Sequence, residues 1–125
     1  MSKLVKQQIN WLEFPEDKDY PAAASYLSLI YETKLADALV DQLKSTSITK
    51  FKAKDLFRAS HLSLLGISNS HVRKDARKIK TGDQISPLLL VRDQVNGKVV
   101  IADGYHRLCA VYRYDEDALI PCKIT

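Results

Sequence analysis

In Leu88-Leu89-Leu90-Val91-Arg92-Asp93-Gln94-Val95-Asn96-Gly97-Lys98-Val99-Val100-Ile101-Ala102-Asp103-Gly104-Tyr105-His106-Arg107, two strands, a hairpin turn and the entry to a helix can be read in order. Leu88 to Val91 is apolar without alternation, which predicts a strand buried on both faces. Asn96-Gly97 is a strong signal for a tight hairpin turn, where both central residues need positive φ. Lys98 to Ala102 is then the returning strand, and Asp103-Gly104 breaks it. From Arg107 to Tyr114 the spacing is helical, with Leu108, Val111 and Tyr112 facing inward.

Upstream of this unit, Ser68-Asn69-Ser70 is a capping cluster. It opens a helix over His71–Lys80 with Val72, Ala76 and Ile79 as its apolar stripe. Gly82 stands where a helix stop belongs. Asp55 to Leu65 reads as a short helix followed by Gly66, and Ile48-Thr49-Lys50-Phe51-Lys52 alternates as a short strand. Downstream, Asp115-Glu116-Asp117 is a polar turn and Ala118 to Ile124 a last strand, where Pro121 points to an edge or a bulge. The expected fold class is therefore α/β in the broad sense (α+β): a small mixed sheet with flanking helices.

Residues 1–46 precede this unit as an N-terminal helical segment packed on the core, and 47–125 form the domain proper. Glu13 to Pro21 is rich in charge and proline and reads as a loop, with Asp19 a candidate cap for a helix opening around Pro21. Leu27, Ile30, Tyr31, Leu35, Ala38, Leu39 and Leu43 follow helical spacing. They fit one helix to about Lys44, or two broken near Thr33.

The 125 residues fit a single domain, and 46% hydrophobic with 27% charged residues is ordinary composition for a globular one. No apolar run approaches the roughly 18 residues that span a bilayer. The basic start, Met1 to Gln8, has no apolar stretch behind it, so no secretory signal and no membrane partner are expected, and the location expected is the cytoplasm. Cys109 and Cys122 lack metal or disulfide-framework spacing and read as buried thiols. His61, His71 and His106 likewise lack ligand spacing, so no metal site of the protein's own is expected.

Charge is distributed unevenly. Residues 50–81 carry nine Lys or Arg against Asp55 and Asp75, whereas the flanking thirds are slightly acidic. A local excess of this kind attracts phosphates on nucleotides or nucleic acid, although a solvated helix face has the same composition.

A strand running through glycine into a helix has a specific chemical use. The first amides of a helix lack internal partners, and the dipole makes that end positive. An anion placed there collects several hydrogen bonds. Gly104 allows close approach, Arg107 offers a planar fork matched to phosphate, and His106 adds a donor. Asp103 can cap the helix, hold a metal ion or accept a proton from an attacking hydroxyl. Read locally, Asp-Gly is also just a good turn.

Val99-Val100-Ile101-Ala102-Asp103-Gly104-Tyr105-His106-Arg107-Leu108-Cys109-Ala110 resembles the signature of the ParB/sulfiredoxin superfamily, and most of all the Asp-Gly-His-His-Arg element of a free serine kinase within it. The resemblance extends over Asn69 to Val91 and Ile120 to Ile124, roughly residues 48–125. It implies a ParB/sulfiredoxin-like fold that binds ATP, ADP or CTP through Gly104, His106 and Arg107, with Mg²⁺ arriving with the nucleotide. It also implies polar contributions from the upstream helix, where Asn69, Ser70, His71, Lys74 and Lys78 stand; the last three share one helical face. Tyr105 occupies the position of the reactive cysteine of sulfiredoxins, so sulfinic acid repair is not expected. No segment after the core remains for a helix-turn-helix, which argues against partition-type DNA binding.

Nucleotide binding, as a phosphotransferase or nucleotide hydrolase with Asp103 as catalytic base or metal ligand, is the leading expectation. A sequence-independent nucleic-acid binder using the 50–81 basic region and a non-enzymatic interaction module are the alternatives. Oligomeric state is open. The leading reading requires Arg107 to converge on the amides after Gly104; with Arg107 pointed away from them or sealed into an internal ion pair, that reading collapses and only the fold assignment survives.

Overall fold

The computed structural model describes residues 7–125; the basic start of the chain, residues 1–6, lies outside the described residues. Nine elements follow in order: α1 (Asp19–Leu27), α2 (Thr33–Ser45), β1 (Thr49–Lys52), α3 (Ala53–Ser60), α4 (Ser70–Thr81), β2 (Leu88–Asp93), β3 (Lys98–Asp103), α5 (Tyr105–Tyr114) and β4 (Leu119–Ile124). The class is mixed α+β, as the sequence predicts.

The unbroken apolar run of β2 explains the layering. Leu88 and Leu90 join one core with α3, α4 and α5, while Leu89 and Val91 join a second with α1 and α2. Adjacent residues of a strand point to opposite faces. A strand apolar at every position therefore demands a layer on each side, and the sheet is sandwiched between two sets of helices. Leu88, Leu89 and Leu90 have no exposed surface. Each such burial stabilises the fold by about 2 kcal/mol.

Strand order is β1-β4-β2-β3, with β4 antiparallel to β1, parallel to β2, and β2 antiparallel to β3 across the Asn96-Gly97 hairpin. This corrects the reading of Pro121. β4 is an internal strand, and Pro121 pairs with Lys50. The parallel ladder to β2 begins one residue later, at Cys122, so the missing N–H falls at its mouth. On the α1–α2 side of β4, buried Lys123 donates to the carbonyl of Lys44 at 3.0 Å and lies 5.7 Å from the Tyr20 ring centre. A cation there satisfies the carbonyl end of α2.

The N-terminal stretch is two helices, not one. Ser28 to Glu32 separates them, and the residue preceding the second helix is Glu32, without a side-chain cap. The break shifts the phase of the second helix. Ala36, Val40 and Leu43 face the core, whereas Ile30 and Leu35, expected in the stripe, are about half exposed at 47% and 48%. Asp19 does not cap α1 but is its first residue, and its Oδ2 accepts from the backbone N–H of Glu16 at 2.9 Å.

The helix expected from Asp55 to Leu65 starts and ends earlier. Ala53 and Lys54 donate their amides to the carbonyls of Ala118 and Glu116, each at 2.9 Å, so α3 begins directly off β1. It stops at His61, whose φ of 57° ends the helix without a glycine. In α4 both expected boundaries hold. Asn69 caps the start through Oδ1, and Gly82 closes the end at φ 79°. Cys109 and Cys122 are free and buried, and burial pushes the Cys122 thiol up to about 12. Neither is a reactive thiolate at neutral pH.

Candidate functional site: the turn from β3 to α5

β3 ends at Asp103, and Gly104 turns the chain into α5 with φ 108°, a conformation that disfavours any side chain. Space requires glycine as well. A Cβ here would lie 2.7 Å from Leu88 Cγ and 2.9 Å from Arg107 Nη2. The first helical bond runs from the Leu108 N–H to the Gly104 carbonyl at 2.9 Å, and no side chain caps the end. The amides at the head of α5 are thus left for a partner outside the helix.

Arg107 corrects the picture of an open cationic fork. Its Nη2 forms an ion pair with Asp103 Oδ2 at 2.8 Å and donates to the Pro87 carbonyl at 3.3 Å. Both side chains of the pair are mostly buried, at 17% and 16% exposure. Asp19, nearly fully buried on α1, adds its charge to that of Asp103. Burial pushes the Asp103 carboxyl above the ordinary carboxylate range; Arg107 opposes the shift and Asp19 reinforces it. With two acids and one guanidinium, the space behind Gly104 is not a cationic pocket. Asp103 is committed to Arg107 rather than presented as a free base or metal ligand. One donor stays unmatched: Arg107 Nε is buried without an acceptor.

In front of the turn, α4 and α5 bring several of the expected residues together. The His71 and His106 rings lie 4.9 Å apart, and Tyr105 lies 5.7 Å from His106. The Tyr105 hydroxyl donates to the carbonyl of Ser63, tying the turn to the loop after α3. Desolvation first, then the neighbouring His71, lowers the His106 pKa from 6.5; Arg107 adds to the shift and Asp75 opposes it. Asp75 is shifted upward by burial, against the pull of Arg107, Lys78, His106 and Lys74. Titratable groups displaced by burial and by each other are the usual signature of a functional cleft, and of structural ion networks too.

Asn69 and Ser70 have other places. Asn69 Oδ1 accepts from the N–H groups of His71 and Val72 at 3.0 and 3.2 Å, which occupies it as a cap. Ser70 is the first residue of α4. The basic excess of residues 50–81 does not form one surface. Lys54 pairs with Asp117 at 2.7 Å and Arg58 approaches Asp55 at 3.9 Å. On α4 the cations divide between two faces. Arg73, Arg77 and Lys80 lie roughly 130° around the helix from His71, Lys74 and Lys78, at about 100° per residue.

Sequence reasoning missed Asp19 and Pro87 as partners of the turn, since nothing local announces a contact between positions 19 and 103. It also missed Arg73, Arg77 and Lys80 as a separate set, although their i, i+4, i+7 spacing was there to be found. No family model, no curated protein and no solved structure matches this chain.

Proposed function

We propose that the chain binds the phosphates of a nucleotide where the face of α4 bearing His71, Lys74 and Lys78 meets the N-terminal end of α5. The ligands are the uncapped amides after Gly104, His106, His71, Lys74 and Lys78. Arg107, sealed into its pair with Asp103, is no longer among the ligands and only supports the turn from behind, so the proposal stands without the guanidinium on which the sequence reading depended. The resemblance of Asp103-Gly104-Tyr105-His106-Arg107 to the ParB/sulfiredoxin superfamily supports a nucleoside triphosphate or diphosphate (ATP, ADP or CTP) as the class.

One observation carries this reading: the start of α5 has no side-chain cap, and the His106 ring at that start lies 4.9 Å from His71 of α4. Unpartnered amides at the positive end of a helix dipole are a ready site for an oxyanion. Mg²⁺ fits as a passenger of the nucleotide. Among the described residues no group of three or more His, Cys, Asp or Glu side chains could hold a metal ion. Mg²⁺ bound through phosphates needs only one or two protein carboxylates, and Asp75 is the candidate at this site. The ion would neutralise phosphate charge there.

Titration calorimetry with ATP, ADP and CTP in the presence of Mg²⁺ tests the reading. Saturable binding is expected, weakened about tenfold or more in Lys78→Ala and in His106→Ala, in line with the loss of one charge-assisted hydrogen bond. Absence of binding by all three nucleotides, or binding untouched by both substitutions, overturns it.

A further inference from the structure

On the opposite side of the α4–α5 seam from His71 lies a groove of about 450 Å³. Its base is mostly aliphatic: Ala76 and Ile79 from α4 and Ala110 from α5, with Tyr114 at the end of α5 and Ile67 of the loop preceding α4, 58% exposed, completing the lining. Four cations surround it, Arg73, Arg77 and Lys80 from α4 and Arg113 from the last turn of α5. All four are exposed, none forms an ion pair among the described residues, and no acid lines the groove. The helical rise of 1.5 Å per residue spreads the α4 cations over roughly 10 Å.

We infer that this groove docks a segment of a partner protein in which large aliphatic residues alternate with Asp and Glu. The aliphatic base takes the apolar side chains, and the guanidiniums take carboxylates through their planar forks. Charge complementarity selects an acidic partner, and the base selects a protein over nucleic acid. A nucleic-acid strand draws its non-electrostatic affinity from stacking successive bases on several aromatic side chains, whereas this groove has a single aromatic, Tyr114, whose hydroxyl is tied to the Gln7 carbonyl. Arrangement around an apolar base also separates this set from cations scattered singly over a helix. The inference is independent of the nucleotide site, which uses the other face of α4.

A fluorescein-labelled peptide of alternating Glu and Leu, read by fluorescence anisotropy, is the probe. Two companions accompany it: the same peptide with Ser for every Leu, and an unlabelled oligothymidylate as competitor. The Glu-Leu peptide is expected to bind, to weaken with added salt, and to lose about tenfold or more in affinity to the Arg73→Glu, Arg77→Glu double variant. Folding of the variant is checked by circular dichroism. The Lys78→Ala variant of the other face, with its groove intact, is expected to bind normally. Equal binding of the Ser peptide overturns the role of the aliphatic base. Displacement by oligothymidylate below the concentration of unlabelled Glu-Leu peptide needed for the same effect identifies a nucleic-acid surface instead. Unchanged binding to the double variant overturns the site.

Discussion

Behind Gly104, Asp103 and Arg107 share a space nearly closed to solvent with Asp19 nearby, whereas around the groove between α4 and α5 Arg73, Arg77, Lys80 and Arg113 are exposed with no acid in the lining among the described residues. Similar side chains meet opposite physics in the two places. In the closed space each charge must be matched, so the arginine that sequence alone presents as a phosphate fork is taken by the nearest carboxylate. On the open face hydration makes unmatched charge tolerable, and four cations persist without partners. Burial therefore matters more than residue type in determining whether a charge is available to a ligand. The site holding His71, His106 and Asp75 is intermediate, which is where shifted titrations occur.

The largest effect that tests this contrast is expected from Gly104→Ala. The new methyl would meet Leu88 and Arg107 under 3.0 Å, in a backbone conformation with φ 108°. Left-handed strain and overpacking together predict a loss of about 2–4 kcal/mol in urea unfolding. An unchanged urea midpoint would show that the closed space is looser than the geometry states.

Titration separates the two regions next. Asp103 and Asp75 have folded pKa values raised above 3.8, so the folded state holds their protons more firmly than the unfolded chain does. Their contribution to stability grows as pH falls from their raised values toward 3.8 and is lost as pH rises again. His106 has the opposite sign. Its folded pKa lies below 6.5, so stability is lost as pH falls from 6.5 through the folded value. His106→Gln is expected to remove the decline just below pH 6.5, and Asp103→Asn to flatten the gain at lower pH, as read from urea midpoints across a pH series. Arg73→Glu, on the open face, is expected to leave the shape of the series alone. A reshaped curve in that variant would mean that the two regions are electrostatically coupled.

What the sequence revealed of this arrangement follows the same division between local and distant. Elements written in short-range chemistry were readable: the Asn69 cap and Gly82 stop of α4, the Asn96-Gly97 hairpin, and the two-faced burial of Leu88 to Val91. Features set by partners far along the chain were not. Pro121 suggested an edge, but β1 flanks β4 on one side and β2 on the other. Ile30 and Leu35 matched helical spacing, yet the break at Ser28 to Glu32 turned them outward. Arg107 matched a motif, but its occupation by Asp103 depends on Leu88 and Pro87 closing over the turn and on Asp19 arriving from α1. A periodicity reports which side of an element is apolar; it does not report which charge stands opposite.

The smallest expected effect concerns the open face and has an unusual sign. Arg73 and Arg77 are four residues apart on α4, and Arg77 and Lys80 three, so each pair sets like charges side by side. Such pairs destabilise a helix by about 0.2–0.5 kcal/mol each, and opposite charges at the same spacing stabilise it by a similar amount. Arg77→Glu converts both pairs at once. It is therefore expected to raise stability by a few tenths to about 1 kcal/mol, measurable as a higher urea midpoint at low salt that falls back as salt is added. A destabilised variant would instead assign the Arg77 stem to packing over Ala76 and Ile79, where removal of its methylenes outweighs relief of repulsion. A stabilised one has a sharper consequence. Cations that weaken the helix carrying them do not serve the isolated fold, which is the outcome expected of a surface that meets an acidic segment.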